Sequence, residues 1–352
     1  MNISPQLHPP TLSEDGILAC IGRHFPLAHP SLLLGRGDDC TILKAGQPLC
    51  MSSDLFLEDI HFRRAYFSPA DTGYKALAVN VSDIAACGGR PLAFCLDLGL
   101  PDWADMPWLE DFFGGMASLA RRYRLALAGG DLARSPHLHI SITIWGECPD
   151  TGMFLVRGGS MPGDTIFVVG TLGLARVGLH ELEAHGPDAA TLWPFACAAH
   201  LRPEPQVEAG MLLGRAARNA RPPALMDISD GLIRDLPRLL GQNGELAAPA
   251  ATGQRLGASL VLPHHLLHPE VIRHALTQDL DPVQEALRGG EDYALLGSCA
   301  PDMLPVLHAA IPALYSIGTV TDDGVLSCNN APLTGLCGFD HFATEENGAD
   351  NS

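Results

Sequence analysis

The residues best suited to chemistry in this chain are aspartates that stand where hydrophobic segments end. Five sites of this kind lie beside glycine, serine or other small residues, and they contribute Asp38, Asp39, Asp54, Asp83, Asp131, Asp227 and Asp230. Carboxylates at the ends of elements, where backbone can approach closely, suit a hard cation that carries a bound phosphate. At any one site a structural aspartate is an equally good explanation. For all five to be structural, each would need its own compensating partner, so the set favours a metal and phosphate site.

The stretch MSSDLFLEDIHF sets Asp54 and His61 among apolar side chains. Burying an unpaired carboxylate costs several kcal/mol or forces it to take up a proton. We therefore expect Asp54 to be buried beside a cation or within a hydrogen-bond network. Glu58 and Asp59 are interpreted as loop or rim residues.

Two further motifs carry aspartates on or beside helices. Asp83 is the only charged residue between Lys75 and Arg90, in a helix that is otherwise almost entirely apolar. In MDISDG, Asp227 is predicted to end a strand and Ser229 to cap the following helix, whose free N–H groups attract phosphate. Taken alone, SDG is a common helix start and predicts no function.

Other motifs give weaker signals. The only lysines, Lys44 and Lys75, lie outside any GxxxxGK[ST] motif, and neither an HRD-type catalytic loop nor GxGxxG spacing occurs. RGGSMPGD and RGGED each place an arginine beside paired glycines, and each alone predicts a turn. His264 and His268 are four residues apart, but the flanking prolines favour an exposed short helix over a metal pair.

The elements that must position these residues alternate between strand and helix, so we predict an α/β fold of the α+β type. PLCMSSDLFL, PLAFCLDLGLP and HLHISITIWGE predict strands, the last with one apolar face from Leu138 to Ile144. SPADTGYKALAVNVSDIAACGG and WLEDFFGGMASLARRYRL predict helices. A second series follows, with TIFVVG as a strand, a helix near Leu174 to Glu183, and YSIGTVTDDGVL as a hairpin.

Length and composition fit a two-domain globular protein. In the 352 residues we place domains at 1–148 and 149–342 and a disordered tail at 343–352. Acidic residues outnumber basic ones 40 to 22, and the formal charge of −18 argues against nucleic acid or an anionic membrane as partner. The cysteines form no CxxC pair, and neither a signal-peptide pattern nor a run of ~18 apolar residues occurs. We expect reduced thiols and a cytoplasmic location.

A series of motifs, taken in order, resembles the thiamine-monophosphate kinase family, part of the aminoimidazole ribonucleotide synthetase superfamily. The resemblance runs from Glu14 to Phe342 and rests on GDDC, SSDLFLEDIHF, GYKALAVNVSDIAACGGRP, GGDLARS, RGGSMPGD, HLRPEP, MDISDGL, GGEDYALL and GFDHF. It implies the two-domain fold of that superfamily, with N-terminal domains that join their sheets into a barrel across a homodimer. It also implies ATP-dependent phosphorylation of thiamine monophosphate to thiamine diphosphate, with several Mg²⁺ ions.

The resemblance also assigns roles to individual residues. The positions that match metal ligands are Asp38, Ser52, Ser53, Asp54, Asp83, Asp131, Asp227 and Asp230. Those that match nucleotide contacts are Gly130, Asp131, Arg157 and Ser229. Those that match substrate contacts are His61, Glu291 and Phe339.

Some positions depart from the family pattern. Leu132 and Ala133 replace the threonines of GGDTT, and Gln206 stands where an arginine commonly follows HLRP-x-P. Loss of the threonine after Asp131 would alter a nucleotide contact rather than the type of reaction.

We expect direct in-line transfer without a general base, because the terminal phosphate of thiamine monophosphate is already an anion. Phosphoryl transfer is catalysed mainly by positioning and charge neutralisation. Since lysine is scarce, clustered Mg²⁺ is expected to supply the positive field.

Three alternative functions are kept open. One is another ATP-dependent synthetase of the superfamily. Selenophosphate synthetase would require a reactive N-terminal cysteine with a lysine nearby, whereas Cys20 is the only cysteine before Cys40 and no lysine precedes Lys44. A second is a sensor that binds Mg-nucleotide without turnover. A nicotinamide-dependent oxidoreductase is the third.

Overall fold

The structure is a computed structural model, and it describes residues 32–34, 41–45, 47–148, 152–217, 221–242, 255–334 and 338–339. Asp38, predicted as a metal ligand, and the predicted tail at 343–352 lie outside the described residues.

Six strands in the described part of the chain form a sheet in the order β1-β2-β3-β6-β4-β5. They are β1 (Leu32–Leu34), β2 (Thr41–Ala45), β3 (Gln47–Leu57), β4 (Arg90–Leu100), β5 (Ala126–Arg134) and β6 (His139–Glu147). The predicted apolar face from Leu138 to Ile144 is buried. β5 pairs in parallel with β4 and forms one edge, and each of its residues is exposed. The sheet therefore buries one face, while its β5 edge stays uncovered within the chain.

Two long helices, α1 (Pro69–Ala86) and α2 (Met106–Tyr123), pack against each other, and α1 packs on the sheet. α1 begins as predicted, because the Ser68 hydroxyl accepts the N–H of Asp71 at 3.1 Å and proline follows at the first helical position. A Cβ at Gly115 would lie 1.9 Å from the Ala70 carbonyl oxygen, so only glycine allows this approach. This close packing fixes the position of α1, the helix that carries Asp83.

The second sheet contains seven strands of the described chain in the order β13-β12-β9-β11-β7-β10-β8. They are β7 (Thr165–Val169), β8 (Ala224–Asp227), β9 (Gly257–Leu260), β10 (Leu295–Cys299), β11 (Leu314–Thr321), β12 (Leu326–Cys328) and β13 (Ala331–Pro332). As predicted, β8 ends at Asp227.

The helices around this sheet are α3 (Leu174–His185), α4 (Pro194–Leu201), α5 (Val207–Ala216), α6 (Leu232–Leu239), α7 (Pro269–Thr277), α8 (Pro282–Arg288) and α9 (Leu304–Ala310). None of the described helices combines the length and the apolar character that crossing a membrane requires. α1 contacts both α5 and β8, and a Cβ at Gly210 would lie 2.1 Å from the Ala85 carbonyl oxygen. The division of the chain at residue 148 stays a prediction.

The predicted hairpin in YSIGTVTDDGVL is wrong. β11 and β12 do not pair with each other but lie on either side of β9. The turn itself is present, since the Asp323 carboxylate accepts the N–H of Val325 at 3.0 Å. However, the Val325 carbonyl accepts the N–H of Ala258 at 2.8 Å, so a strand from earlier in the chain separates the two. Turn residues predict that the chain reverses direction, but they do not predict which strand pairs with β11.

Candidate active site

Carboxylates from separate segments meet where β3, α1 and β8 come together. The Ser52 hydroxyl on β3 donates a short hydrogen bond to Asp83 on α1. The Ser82 hydroxyl, one residue earlier on α1, donates to Asp227 at the end of β8 at 2.6 Å. Because Ser82 and Asp83 are adjacent, the two aspartates lie close together. The structure thus brings together Ser52, Asp83 and Asp227, and their role as metal ligands stays a prediction.

A buried phenol, that of Tyr293, lies within electrostatic range of this group. Burial raises the pKa of Tyr293 well above its ordinary value, and the negative charges of Glu291, Asp54, Asp227 and Asp83 raise it further. Carboxylates from four segments therefore act electrostatically on this one hydroxyl. That hydroxyl keeps its proton at neutral pH and is able to donate a hydrogen bond.

The SSD motif is divided between the two faces of β3. Asp54 is half-buried, not buried as expected. Ser53 is exposed, and its hydroxyl lies 2.9 Å from that of Thr143 on β6. Since side chains alternate along a strand, Ser52 and Asp54 share one face and Ser53 lies on the other.

Asp131 does not join this group within one chain. Ile142 on β6 is opposite Asp54 on one side and Leu96 on the other, and Leu96 is opposite Gly130. Three strand spacings separate Asp54 from Gly130, about 14 Å. A Cβ at Gly130, where φ is +151°, would lie 1.8 Å from the Leu96 carbonyl oxygen, so glycine is required there. Asp131 is exposed on this edge strand.

The prediction that Ser229 caps α6 is wrong. α6 begins at Leu232, and its N-cap is Gly231, with φ +102°. The Asp235 carboxylate instead accepts the backbone N–H groups of Ser229 at 3.1 Å and Asp230 at 3.0 Å. A carboxylate in the first turn of the helix thus binds the backbone of the preceding loop and holds that loop in place.

Arginines gather around this loop. Asp230 accepts a hydrogen bond from Arg238 at 2.6 Å and lies 3.6 Å from Arg234. Burial and the Asp230 charge raise the pKa of Asp235 to about 7, while the positive charges of Arg238 and Arg157 oppose that shift, so Arg157 acts electrostatically on this loop. The sequence analysis identified only Arg157. The repeat of Arg234 and Arg238 four residues apart, directly after SDG, was the available signal.

Glu291 is held by two buried cation-forming groups that the sequence analysis missed. The Lys75 ammonium, fully buried, lies 2.8 Å from one Glu291 oxygen, and His200 Nδ1 lies 3.2 Å from the other. Burial alone would raise the pKa of Glu291, but Lys75 and His200 outweigh it and hold that pKa below its ordinary range. Burial lowers the pKa of His200, and the Lys75 charge lowers it further, so the imidazole is neutral. Glu291 is therefore a fixed negative charge. A lysine in the middle of an apolar helix was the signal.

The backbone of the GGEDY loop is strained and tied to the SDG loop. Glu291 has φ +62° and Tyr293 has φ +48°, a region that L-residues adopt at a cost. The Glu291 N–H donates to Ser229 O at 2.8 Å, and the Tyr293 N–H donates to Ile228 O at 2.9 Å. These bonds hold the GGEDY loop against the segment that follows β8.

The predicted substrate contact Phe339 lies against the same loop. Its N–H donates to the Asp230 carbonyl at 3.0 Å, and its carbonyl accepts from Arg234. Its ring is 44% exposed, so an aromatic face is available to a ligand. Glu291 and Phe339 thus flank Ser229 and Asp230 from two sides.

His61 lies in the turn that follows β3. Its Nδ1 accepts the Leu57 N–H at 2.9 Å, and its ring stacks on Phe56 with centroids 5.8 Å apart. A run of ring contacts leads from there to His200, through Phe56, Phe62 and Phe67. Glu58, predicted as a loop or rim residue, accepts the Leu138 N–H at 3.2 Å and pairs with Arg64.

Comparison with known proteins identifies the family. Residues 37–148 match the family described as AIR synthase related protein, N-terminal domain. The thiamine-monophosphate kinase of Escherichia coli (strain K12) is 36% identical to this chain over 352 residues, covering 94% of this chain and 99% of that protein. The chain belongs to the thiamine-monophosphate kinase family.

Solved structures of thiamine-monophosphate kinases share the fold. "AaThiL complexed with AMPPCP and TMP" is 27% identical, with a TM-score of 0.79, and the match covers 96% of this chain and all (100%) of that one. The enzyme from Stenotrophomonas maltophilia K279a is 31% identical, with a TM-score of 0.68, and covers 92% and 99%. The predicted α/β fold of this superfamily is confirmed, and the described chain builds it from two sheets.

Proposed function

We propose that this chain is an ATP-dependent kinase that converts thiamine monophosphate to thiamine diphosphate. The observation that carries the proposal is that Asp83 and Asp227 are brought together by hydrogen bonds from Ser52 and Ser82, next to an arginine-lined loop, in a chain of this family. Such a site offers ligands for cations and partners for phosphates at once. The related AaThiL structure holds AMPPCP, an ATP analogue, together with TMP.

The nucleotide phosphates would lie between the carboxylates and the arginines. Asp54, Asp83 and Asp227 form an oxygen-only donor set near one another, which is what Mg²⁺ prefers. Mg²⁺ ions bound there would neutralise phosphate charge. We propose that the remaining metal ligands are Ser52, Ser53, Asp38, Asp131 and Asp230. Asp230 already pairs with Arg238 through one oxygen, so its other oxygen would face an ion.

Positive charge near the phosphates comes from the protein as well. Arg157, Arg234 and Arg238 surround the Ser229–Asp230 loop. Guanidinium groups bind phosphate oxygens in a bidentate manner, which positions as well as attracts them. Because lysine is scarce, the sequence led us to expect that Mg²⁺ supplies the positive field. We propose that these arginines supply part of it.

The thiamine end of the acceptor would lie at Glu291 and Phe339. The exposed Phe339 ring suits stacking on a flat heteroaromatic ring. The fixed negative charge of Glu291 suits the polar edge of a pyrimidine or a cationic ring, not a phosphate. His61, in the turn that follows β3, would contact the acceptor from the side of the other sheet.

The chemical step needs positioning more than proton transfer. The acceptor phosphate is already anionic, so direct in-line attack on the γ-phosphorus requires no general base. Tyr293 keeps its proton and would donate a hydrogen bond to a phosphoryl oxygen as charge develops.

A homodimer completes the proposal. β5 is an edge strand whose residues are all exposed, including Leu127 at 55% and Leu132 at 69%. Such an edge pairs readily with another chain. A second copy joined here would extend the sheets into a barrel and would place Gly130 and Asp131 at the subunit interface, where they would contact the nucleotide.

The test compares turnover in Asp54→Asn and the control Asp111→Asn, an exposed carboxylate on α2. With Mg-ATP, wild type should release ADP only when thiamine monophosphate is added. Asp54→Asn should fold but lose roughly 10²-fold in turnover, as when one transition-state stabiliser is removed, while the control stays near wild type. Binding of Mg-ATP without turnover would favour a sensor, and full activity in Asp54→Asn would remove the carboxylate from the mechanism.

A further inference from the structure

A second group of side chains able to hold a metal ion lies on α3, α7 and α8. His180 on α3, His274 on α7 and Glu285 on α8 come from three helices, yet one ligand atom from each lies within 4.8 Å of the others. His274 and Glu285 are each 3% exposed, and His180 is half-buried. None of the three has a part in the proposed kinase reaction.

Two atoms in this group lack hydrogen-bond partners among the described residues. They are His274 Nδ1 and Glu285 Oε2, which lie 3.9 Å apart. Buried polar atoms without a partner are uncommon and costly. Burial lowers the pKa of both His180 and His274, so both imidazoles are neutral and have a lone pair to offer a cation.

The surroundings orient His274 toward such a cation. Glu181 Oε1 lies 3.7 Å from His274 Nε2, on the edge of the ring away from Glu285. A histidine that ligates a metal through one nitrogen commonly donates its other N–H to a carboxylate. Trp193 packs edge-on against the same ring at 5.8 Å and keeps it in place.

We propose that His180, His274 and Glu285 bind one divalent transition-metal ion of the zinc type, which joins α3, α7 and α8. Two imidazoles and one carboxylate are a donor set that Zn²⁺ takes and that Mg²⁺, which prefers oxygen ligands, does not. The ion would stabilise the packing of α3 on α8, where a Cβ at Gly173 would already lie 2.8 Å from Ala286 Cα. Its role is structural and separate from the phosphoryl transfer.

Arg176 competes with the ion. Its Nε lies 3.6 Å from Glu285 Oε2, and its side chain is 19% exposed. A guanidinium at this distance repels a cation and partly neutralises the carboxylate that would bind it. Removing this charge by Arg176→Gln should therefore tighten metal binding by about tenfold or more.

The experiment uses the full chain, stripped of metal, with Co²⁺ as a visible-light probe. One equivalent of Co²⁺ should give ligand-field absorption that Zn²⁺ abolishes and that excess Mg²⁺ does not. His274→Gln and Glu285→Gln should lose the absorption, whereas His265→Gln, an exposed histidine, should keep it. If His274→Gln fails to fold, the half-buried His180→Gln provides the same test.

Two further results separate this site from the kinase site. Asp54→Asn should keep the absorption, and Zn²⁺ should raise the Tm of Asp54→Asn as much as that of wild type. The proposal is overturned if wild type gives no such absorption, if Asp54→Asn loses it while His274→Gln keeps it, or if Arg176→Gln binds no more tightly. Each of these outcomes leaves the test for ADP release unaffected.

Discussion

Lys75 shows how one buried side chain fixes the charge of another. Lys75 is fully buried, and burial lowers its pKa, yet it lies 2.8 Å from Glu291. Lys75→Met should leave the partly buried Glu291 carboxylate without its cationic partner and destabilise the protein by roughly 3 kcal/mol. Adding Glu291→Gln should recover much of that stability but not the activity toward thiamine monophosphate. Urea unfolding and steady-state kinetics measure both, with the exposed Arg121→Met as control.

If Lys75→Met unfolds no more easily than Arg121→Met, the ion pair is not what fixes Glu291. Recovery of full activity in the double variant would show that Glu291 needs no charge to bind its ligand.

Phe339 offers a residue-scale test of the acceptor pocket. Its backbone bonds to Asp230 and Arg234 do not depend on its side chain, so Phe339→Ala should keep the segment anchored. Loss of stacking and of buried ring area should raise the KM for thiamine monophosphate by roughly tenfold. The KM for ATP should change little. A rise for ATP alone would mean that the two pockets are reversed.

At the scale of elements, the start of α3 is held by a half-buried carboxylate. Asp292 accepts the N–H groups of Gly173 at 2.5 Å and Ala175 at 3.0 Å. Burial nevertheless raises the pKa of Asp292 to about 7, against its usual value of 3.8. Between these values the folded chain binds a proton that the unfolded chain does not, so stability falls as pH rises toward 7.

The corresponding prediction concerns Asp292→Asn. The free energy of unfolding of wild type should lose up to roughly 1.4 kcal/mol per pH unit from this group between about pH 4 and 7. Asp292→Asn cannot titrate, so the variant should gain stability relative to wild type as pH rises. Urea unfolding of both proteins at pH 5 and 7.5, without nucleotide, tests this. A difference that is constant with pH would mean that Asp292 titrates normally.

Element boundaries could be predicted where the signal is local. The start of α1 at Ser68–Pro69 and the end of β8 at Asp227 follow from capping and from the hydrophobic pattern. The Ser229 cap and the late hairpin were wrong because Asp235 and β9 provide competing partners. Neither partner lies within the short motifs, MDISDG and YSIGTVTDDGVL, on which the two predictions were based.

The whole molecule shows why much of the site escaped sequence reasoning. Asp54, Asp83 and Asp227 were found because their motifs are distinctive, and the structure assembles them. Lys75 and His200 carry no motif of their own, and only long-range packing brings them to Glu291. The separation of Asp131 from Asp54 also depends on strand order, which the sequence does not reveal.

Assembly is the whole-molecule prediction. Leu132, 69% exposed on β5, should be covered by the second copy, so Leu132→Arg should shift the protein from dimer to monomer. Val306→Arg, at a site on α9 that is 65% exposed, should leave the dimer intact. Sedimentation velocity distinguishes the two. A monomeric wild type, or a dimer in Leu132→Arg, would contradict the proposed interface.

Phosphorus NMR of the protein with Mg-ATP and thiamine monophosphate tests the central claim most directly. The single resonance of thiamine monophosphate should disappear, while the resonances of thiamine diphosphate and ADP appear in equal amounts. The same mixture with Asp54→Asn should change far more slowly. A thiamine monophosphate resonance that persists, whether ATP stays intact or is hydrolysed to inorganic phosphate, would contradict the account.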